Sequence, residues 1–221
     1  MIEKVADTAT IVLIGSFNPA IFQPAWFQKQ GLLRETETSS ASIDTISNDI
    51  SIFTMSWVRI EVLGERFVAR TSDESKFSPL RDLVIGTFRL LEYTPVRQIG
   101  LNRDIHYSMP TEDAWHRVGH TLAPKSHWNP LVKTPGMKSL MIEAQRDDDR
   151  VGLFNIGVKP VLNRTQPMKS WLVEVSFNDH IELGADKTGL DVCTVLEEDW
   201  ERSMSRAEQI ASALITDTSK K

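Results

Sequence analysis

The sequence predicts an α+β protein, a mainly antiparallel sheet (or sheets) with helices packed on one face. Three observations predict it. Strand-like segments follow one another across short polar turns, at Gly64-Glu65 and at Asp147-Asp148-Asp149, and turns that short join antiparallel neighbours. Between these groups stand apolar stripes at steps of three and four residues, as amphipathic helices lying on a sheet require. Several strands alternate apolar with polar side chains, which buries one face and leaves the other half exposed.

The most hydrophobic and most patterned stretch is Ile11–Phe27, IVLIGSFNPAIFQPAWF. It reads as a buried strand over Ile11–Ile14, a break at Gly15-Ser16, and a turn or short helix opened by Asn18-Pro19. Gly-Ser-Phe-Asn-Pro resembles a turn that could hold an anion at a helix start. Two prolines leave few free backbone donors, however, and the aromatics between Phe17 and Phe27 make it a structural corner. A helix over Gln23–Gln30 ends at Gly31, which tolerates the left-handed conformation. Residues 34–48, RETETSSASIDTISN, form a polar loop. In the β region from Ile50 to Arg70, Ile50, Ile52, Val58, Ile60 and Val62 share one parity while Arg59 and Glu61 take the other.

Ser78-Pro79 opens a helix with serine as N-cap, continued by Leu80, Leu83, Val84, Phe88 and Leu91 and stopped by Thr94-Pro95. Val96–Met109 is a strand in which Gly100 marks a bulge or a close backbone contact. Thr111 caps a second helix, with Glu112 and Asp113 in its first turn, running to about Leu122. Pro124, Pro130 and Pro135 break up the loop that follows. Three strands over Ser139–Arg146, Val151–Leu162 and Trp171–Leu183 lead to a last helix opened by a capping box at Thr194 and Glu197, its tail frayed after Thr216. The chain reads as one domain, 1–221. It allows two similar halves, about 1–109 and 110–221, each mixing hairpins with a covering helix, although no residue-level repeat relates them.

A net charge of -5 and a pI near 5.6 argue against general nucleic-acid binding or an anionic membrane surface. The lone cysteine, Cys193, excludes an intramolecular disulfide and fits a reducing compartment. No apolar run is long enough to span a membrane, and the first residues lack a signal-peptide pattern, so a cytoplasmic, soluble protein is expected.

Four of the five histidines, His106, His116, His120 and His127, lie in one short region. His116 and His120 are four apart on an expected helix, so both rings could face one metal ion, with His106 and Asp104 as further nitrogen and oxygen ligands. A divalent metal is the one cofactor these residues could hold; none is otherwise expected. The more ordinary reading is of surface histidines, because HRVGH lacks the glutamate of the zinc-protease motif. Asn102 and Arg103 on the preceding strand could clamp a carboxylate or phosphate, or Arg103 could simply pair with a neighbouring strand. Trp128 beside His127 in the Pro-rich loop suggests a partner or ligand contact. Cys193 precedes the expected helix start, a position that lowers a thiol pKa. Ser16 lacks the second glycine of a nucleophile elbow, and no phosphate-binding glycine loop occurs.

IGSFNPAIFQPAWF together with PVRQIGLNRDIHYSMP resembles a sporadically distributed group of uncharacterised bacterial proteins of similar size, over roughly the first 130 residues. The resemblance implies a bacterial cytosolic protein, accessory to a defence or stress system, and brings no catalytic residues with it. The expectation is a non-enzymatic module that binds a protein partner or self-associates through strand edges or the central loop. The alternative is a small metal-dependent hydrolase using His116, His120 and a third ligand from His106, Asp104 or His127.

Overall fold

Two long strands whose buried and half-exposed positions alternate in phase form the middle of the molecule. In the computed structural model, which describes residues 1–161 and 171–219, β1 (Glu3–Gly15) lies antiparallel to β6 (Val96–Ser108), with Ile11 opposite Leu101 and Thr10 opposite Asn102. Seven further strands extend this pair: β2 (Ser42–Ile46), β3 (Ile50–Met55), β4 (Val58–Leu63), β5 (Arg66–Thr71), β7 (Leu140–Gln145), β8 (Gly152–Val161) and β9 (Leu172–Glu182). Their order is β2-β3-β4-β5-β1-β6-β9-β8-β7, and every pairing is antiparallel. The predicted α+β architecture is thus the observed one.

The helices lie on one face. They are α1 (Pro24–Lys29), α2 (Glu35–Thr38), α3 (Phe77–Leu90), α4 (Glu112–Leu122) and α5 (Gly189–Ser219). Ala9, Ile11 and Leu13 of β1 and Ile99 and Leu101 of β6 are buried against Leu80, Val84 and Phe88 of α3 and Leu196 and Trp200 of α5. A second cluster joins Ile105, Tyr107, Val175 and Phe177 to Ala114 and Val118 of α4 and Ala207 and Ala211 of α5. Helix α5 therefore spans both clusters, as its length of about 46 Å allows. The period of two leaves Thr8, Thr10 and Val12 of β1, and their neighbours across the sheet, on a face that no described helix covers.

The corner read from Ile11–Phe27 packs Phe22 on Phe67 and Phe67 on Phe88, with ring centres 5.4 and 5.1 Å apart. The aromatic rings anchor β1 to α3 through geometry that is favourable beyond buried area alone. The element order also recurs. In each set a central strand and helical segment precede a meander that runs inward from a sheet edge, and a long helix follows. The second set begins with β6.

Several local expectations are corrected. Ile50–Leu63 is two strands, because Ser56 turns the chain at a φ of 42° and Met55 pairs with Val58. That tight turn resets the parity: Val58, Ile60 and Val62 are core, while Ile50 and Ile52 are half-buried on the uncovered side. The polar segment 34–48 contains α2 and the edge strand β2. Helix α3 begins at Phe77, so Ser78 lies in its first turn and its hydroxyl reaches Glu201 instead of capping. Helix α5 begins five residues before Thr194; Thr188 N donates to Asp191 Oδ2 at 2.9 Å, and Thr194 donates back to Leu190 O. The same helix continues past Thr216, with Thr218 bonded to Leu214 O at 2.7 Å. Gly100 makes a close contact and no bulge: the β1–β6 irregularities fall at Lys4/Ala6 and Ile14/Gly15. Leu162, the last residue of one expected strand, and the terminal Lys220-Lys221 lie outside the described residues. None of the described helices is long and apolar enough to cross a membrane.

Candidate functional site

Strand β6 carries four of the residues singled out from the sequence, and its alternation divides them. Arg103 shares the helix side with Leu101 and Ile105 and is almost fully buried. Its Nε and Nη2 donate to Asp7 at 3.0 and 2.7 Å, its Nη1 donates to Met204 O at 2.7 Å, and a further bond reaches Glu208. The guanidinium also lies 5.4 Å from the Phe77 ring centre. Four of its five N–H groups are thus engaged inside the protein, so the expected anion clamp is a structural tie between β1, β6 and α5. Asp7, Glu74 and Glu208 bring carboxylate oxygens together. Lys4 and Arg103 lie among them, with Lys4 Nζ 2.9 Å from both Asp7 and Glu74, so the cluster already holds its cations.

Asn102, Asp104 and His106 point the other way, onto the uncovered face. Asn178 donates to Asn102 Oδ1 at 2.5 Å and Asn155 to Asn178 Oδ1 at 3.4 Å, a row of amides across β6, β9 and β8. A depression of about 320 Å³ lies over this row, bordered also by Asp104, Ser176 and Arg66. Gly157 keeps it open: a Cβ there would stand 2.4 Å from Ser176 Oγ. His106 Nε2 is 3.2 Å from Glu174, which also pairs with Lys159 at 2.8 Å. The Asp104 side chain makes no hydrogen bond or ion pair with a described residue, although its backbone is paired in the sheet. Burial and the Glu174 charge both push its carboxyl above the usual range. The three residues of this row and Ser176 sit at alternate positions of strands the sequence does identify, but only the register brings them together.

His116 and His120 lie on the opposite side of the sheet. Helix α4 seats Ala114 and Val118 in the core, and the two rings, 6.0 Å between centres, stand on its flank. Asp104 and His106 are therefore not brought to them, and the four proposed ligands do not form one site. Beside the rings is a cleft of about 400 Å³ between α4, the following loop and the ends of β8 and β9. Burial, the Lys125 charge and His116 lower the His120 pKa. His127 is exposed on a single 3-10 turn at Lys125–His127, and Trp128 directly after it is exposed as well.

The loop continues with Leu131 and Val132, both exposed, into edge strand β7, where Met141 is 66% and Ile142 48% exposed. Sequence reasoning reached Trp128 through its Pro-rich surroundings. It missed Met141 and Ile142, because an edge strand and a central strand have the same apolar pattern. Cys193 lies inside α5, 3.5 Å from Ile85 O, and burial pushes its thiol up to about 11. It is thus no activated nucleophile. A search of family models finds no match to the chain, and a search of curated proteins finds none either.

Proposed function

We propose that the chain is a non-enzymatic binding and assembly module that joins a second copy of itself through edge strand β7 and the loop before it. The observation that carries the reading is the concentration of exposed apolar side chains there: Trp128, Leu131, Val132, Met141 and Ile142 fall within one continuous segment. An unpaired edge offers a row of backbone donors and acceptors to another strand. The other edge is protected against such pairing, because β2 has an irregular register between Ile43 and Thr45 and ties Asp44 to Arg59 at 2.7 Å. Strand β7 has neither device, and neither proline nor lysine interrupts it. Such a module suits an accessory part in a bacterial cytosolic defence or stress system, as the sequence resemblance implies.

Light scattering coupled to gel filtration tests the reading. The wild-type chain should elute as a dimer at micromolar concentration, and Met141→Lys combined with Ile142→Lys should give a monomer with an unchanged circular dichroism spectrum. A wild-type protein that is monomeric throughout that range overturns it. The metal-hydrolase reading keeps only the neighbouring His116 and His120 rings, and stoichiometric metal in freshly purified protein would restore it.

A further inference from the structure

The cleft beside α4 lies on the helix side of the sheet, with α4 as one wall and residues of the loop before β7 as the other. Its walls are apolar: Trp115, Pro135, Met137 and Pro160 line it. Trp115 is held in place, since its Nε1 donates to Leu172 O at 2.8 Å and its ring lies 5.5 Å from that of Trp171. Lys125 is the formal cation of the lining, His116 and His120 add imidazole nitrogens, Asn129 and Thr134 add uncharged groups, and no aspartate or glutamate is among the lining residues. Lys125 forms no ion pair with any described residue. Glu112, 3.8 Å from His116, is the nearby acid, and it sits one helical turn away outside the lining. Lys125 is half-buried there, so its charge is partly withdrawn from water without an ion-pair partner among the described residues.

We infer that this cleft binds a small organic acid, with its apolar body, aromatic or aliphatic, between Trp115 and Met137 and its anionic group against Lys125 and the two histidines. The volume is that of an ordinary small-molecule site, and a few polar groups among apolar walls are the usual means of orienting such a ligand. Burial is the first cause of the lowered His120 pKa, and Lys125 and His116 add to it through space, a contribution that a bound anion would offset.

Isothermal titration with 2-naphthoate and with its neutral counterpart 2-naphthylmethanol tests the inference. The acid should bind saturably at one site per chain and at least about tenfold more tightly than the alcohol. Lys125→Ala should remove that preference. Gly119 on α4 lines the cleft, and a Cβ there would meet Met137 Cβ at 3.6 Å, an ordinary contact. Gly119→Leu should therefore fill the space and abolish binding, while the helix loses a glycine and the thermal midpoint holds or rises. Equal affinity for acid and alcohol overturns the inference. So does undiminished binding by a folded Gly119→Leu protein, or the absence of saturable binding at millimolar naphthoate.

Discussion

Arg103 and Asp7 form a two-pronged ion pair beneath the central strands, with Nε–Oδ1 at 3.0 Å and Nη2–Oδ2 at 2.7 Å. Both side chains are almost completely withdrawn from solvent. A buried pair is weak evidence of net stabilisation, since desolvation offsets the attraction, yet removing one member strands the other. Arg103→Met should lower unfolding free energy by about 3 kcal/mol, the lower end for a broken buried pair, because Lys4 still lies 2.9 Å from Asp7. Combining it with Asp7→Leu should recover most of the loss. Urea unfolding of the two single variants and the double variant measures the coupling. A single-variant loss under about 0.5 kcal/mol, the range of an ordinary surface change, would show that the pair is not the tie described.

Gly15 ends β1 where the chain passes Pro95. Gly15 N donates to Glu65 O at 3.0 Å and Ser16 N to Pro95 O at 2.9 Å, so the backbone cannot easily withdraw. A Cβ on Gly15 would lie 2.2 Å from Pro95 O. Gly15→Ala should therefore cost about 3 kcal/mol, the upper part of the overpacking range. Gly64→Ala, in the adjoining turn with nothing within 4 Å of its Cβ, should change stability by no more than about 0.5 kcal/mol. Equal thermal shifts for the two alanine variants would refute the close-approach account.

Cys193 should resist chemistry. Its buried thiol, pushed up to about 11, holds almost no thiolate at neutral pH. Reaction with an aromatic disulfide reagent should be slow in the native protein and complete within the mixing time in concentrated urea. Fast native labelling would require an opening of α5 away from Ile85.

The strands and helices were legible where a long period was uninterrupted. The alternation in β9 and the stripe in α3 each rest on many residues, and Thr111 caps α4 as its sequence indicates, accepting from Ala114 N at 3.1 Å. Local signals failed where tertiary contacts outweighed them. Ser78-Pro79 has the composition of a helix start, but burial of Phe77 draws the helix back by a residue or more. Thr194-x-x-Glu197 competes with Thr188-x-x-Asp191, and the earlier box prevails with Gly189 packed 2.9 Å, at its would-be Cβ, from Phe88 O. The site was legible only as a region. Sequence spacing joins His106 to His116, whereas strand alternation and the packing of α4 send them to opposite faces. Arg103 and Asp104 are neighbours in sequence and are separated by the sheet for the same reason.

Asp104 bears a cost in the folded protein. A carboxylate whose folded pKa lies above its unfolded value destabilises the protein at neutral pH, and the penalty is relieved as acid protonates it. Asp104→Asn should then raise the urea midpoint at pH 7, which is the behaviour of a residue kept for some use other than folding. A lowered midpoint would mean that the carboxylate has a stabilising role in the fold.

Asp148 behaves in the opposite sense, and the ion network around it makes the sign testable. Arg146 donates to Asp148 through Nε at 2.9 Å and Nη2 at 2.6 Å, and also pairs with the buried Asp179; Arg150 N adds a bond at 3.1 Å. Arg202 bridges Asp148 to Asp199, so the β7–β8 turn is fastened to α5. The Arg146 guanidinium, first among these, holds the Asp148 carboxyl well below the usual carboxylate range. Because the folded value is depressed, the contribution is fully present above the ordinary carboxylate pKa of about 4 and is lost as pH falls further below it. The urea midpoint attributable to this group should be level between neutrality and about pH 5, then decline. Asp148→Asn should be less stable than wild type at pH 7, and the gap should narrow progressively in acid as the wild-type carboxyl is itself protonated. A gap of constant size down to the acid limit would assign the loss to altered packing of the turn and not to the charge on Asp148.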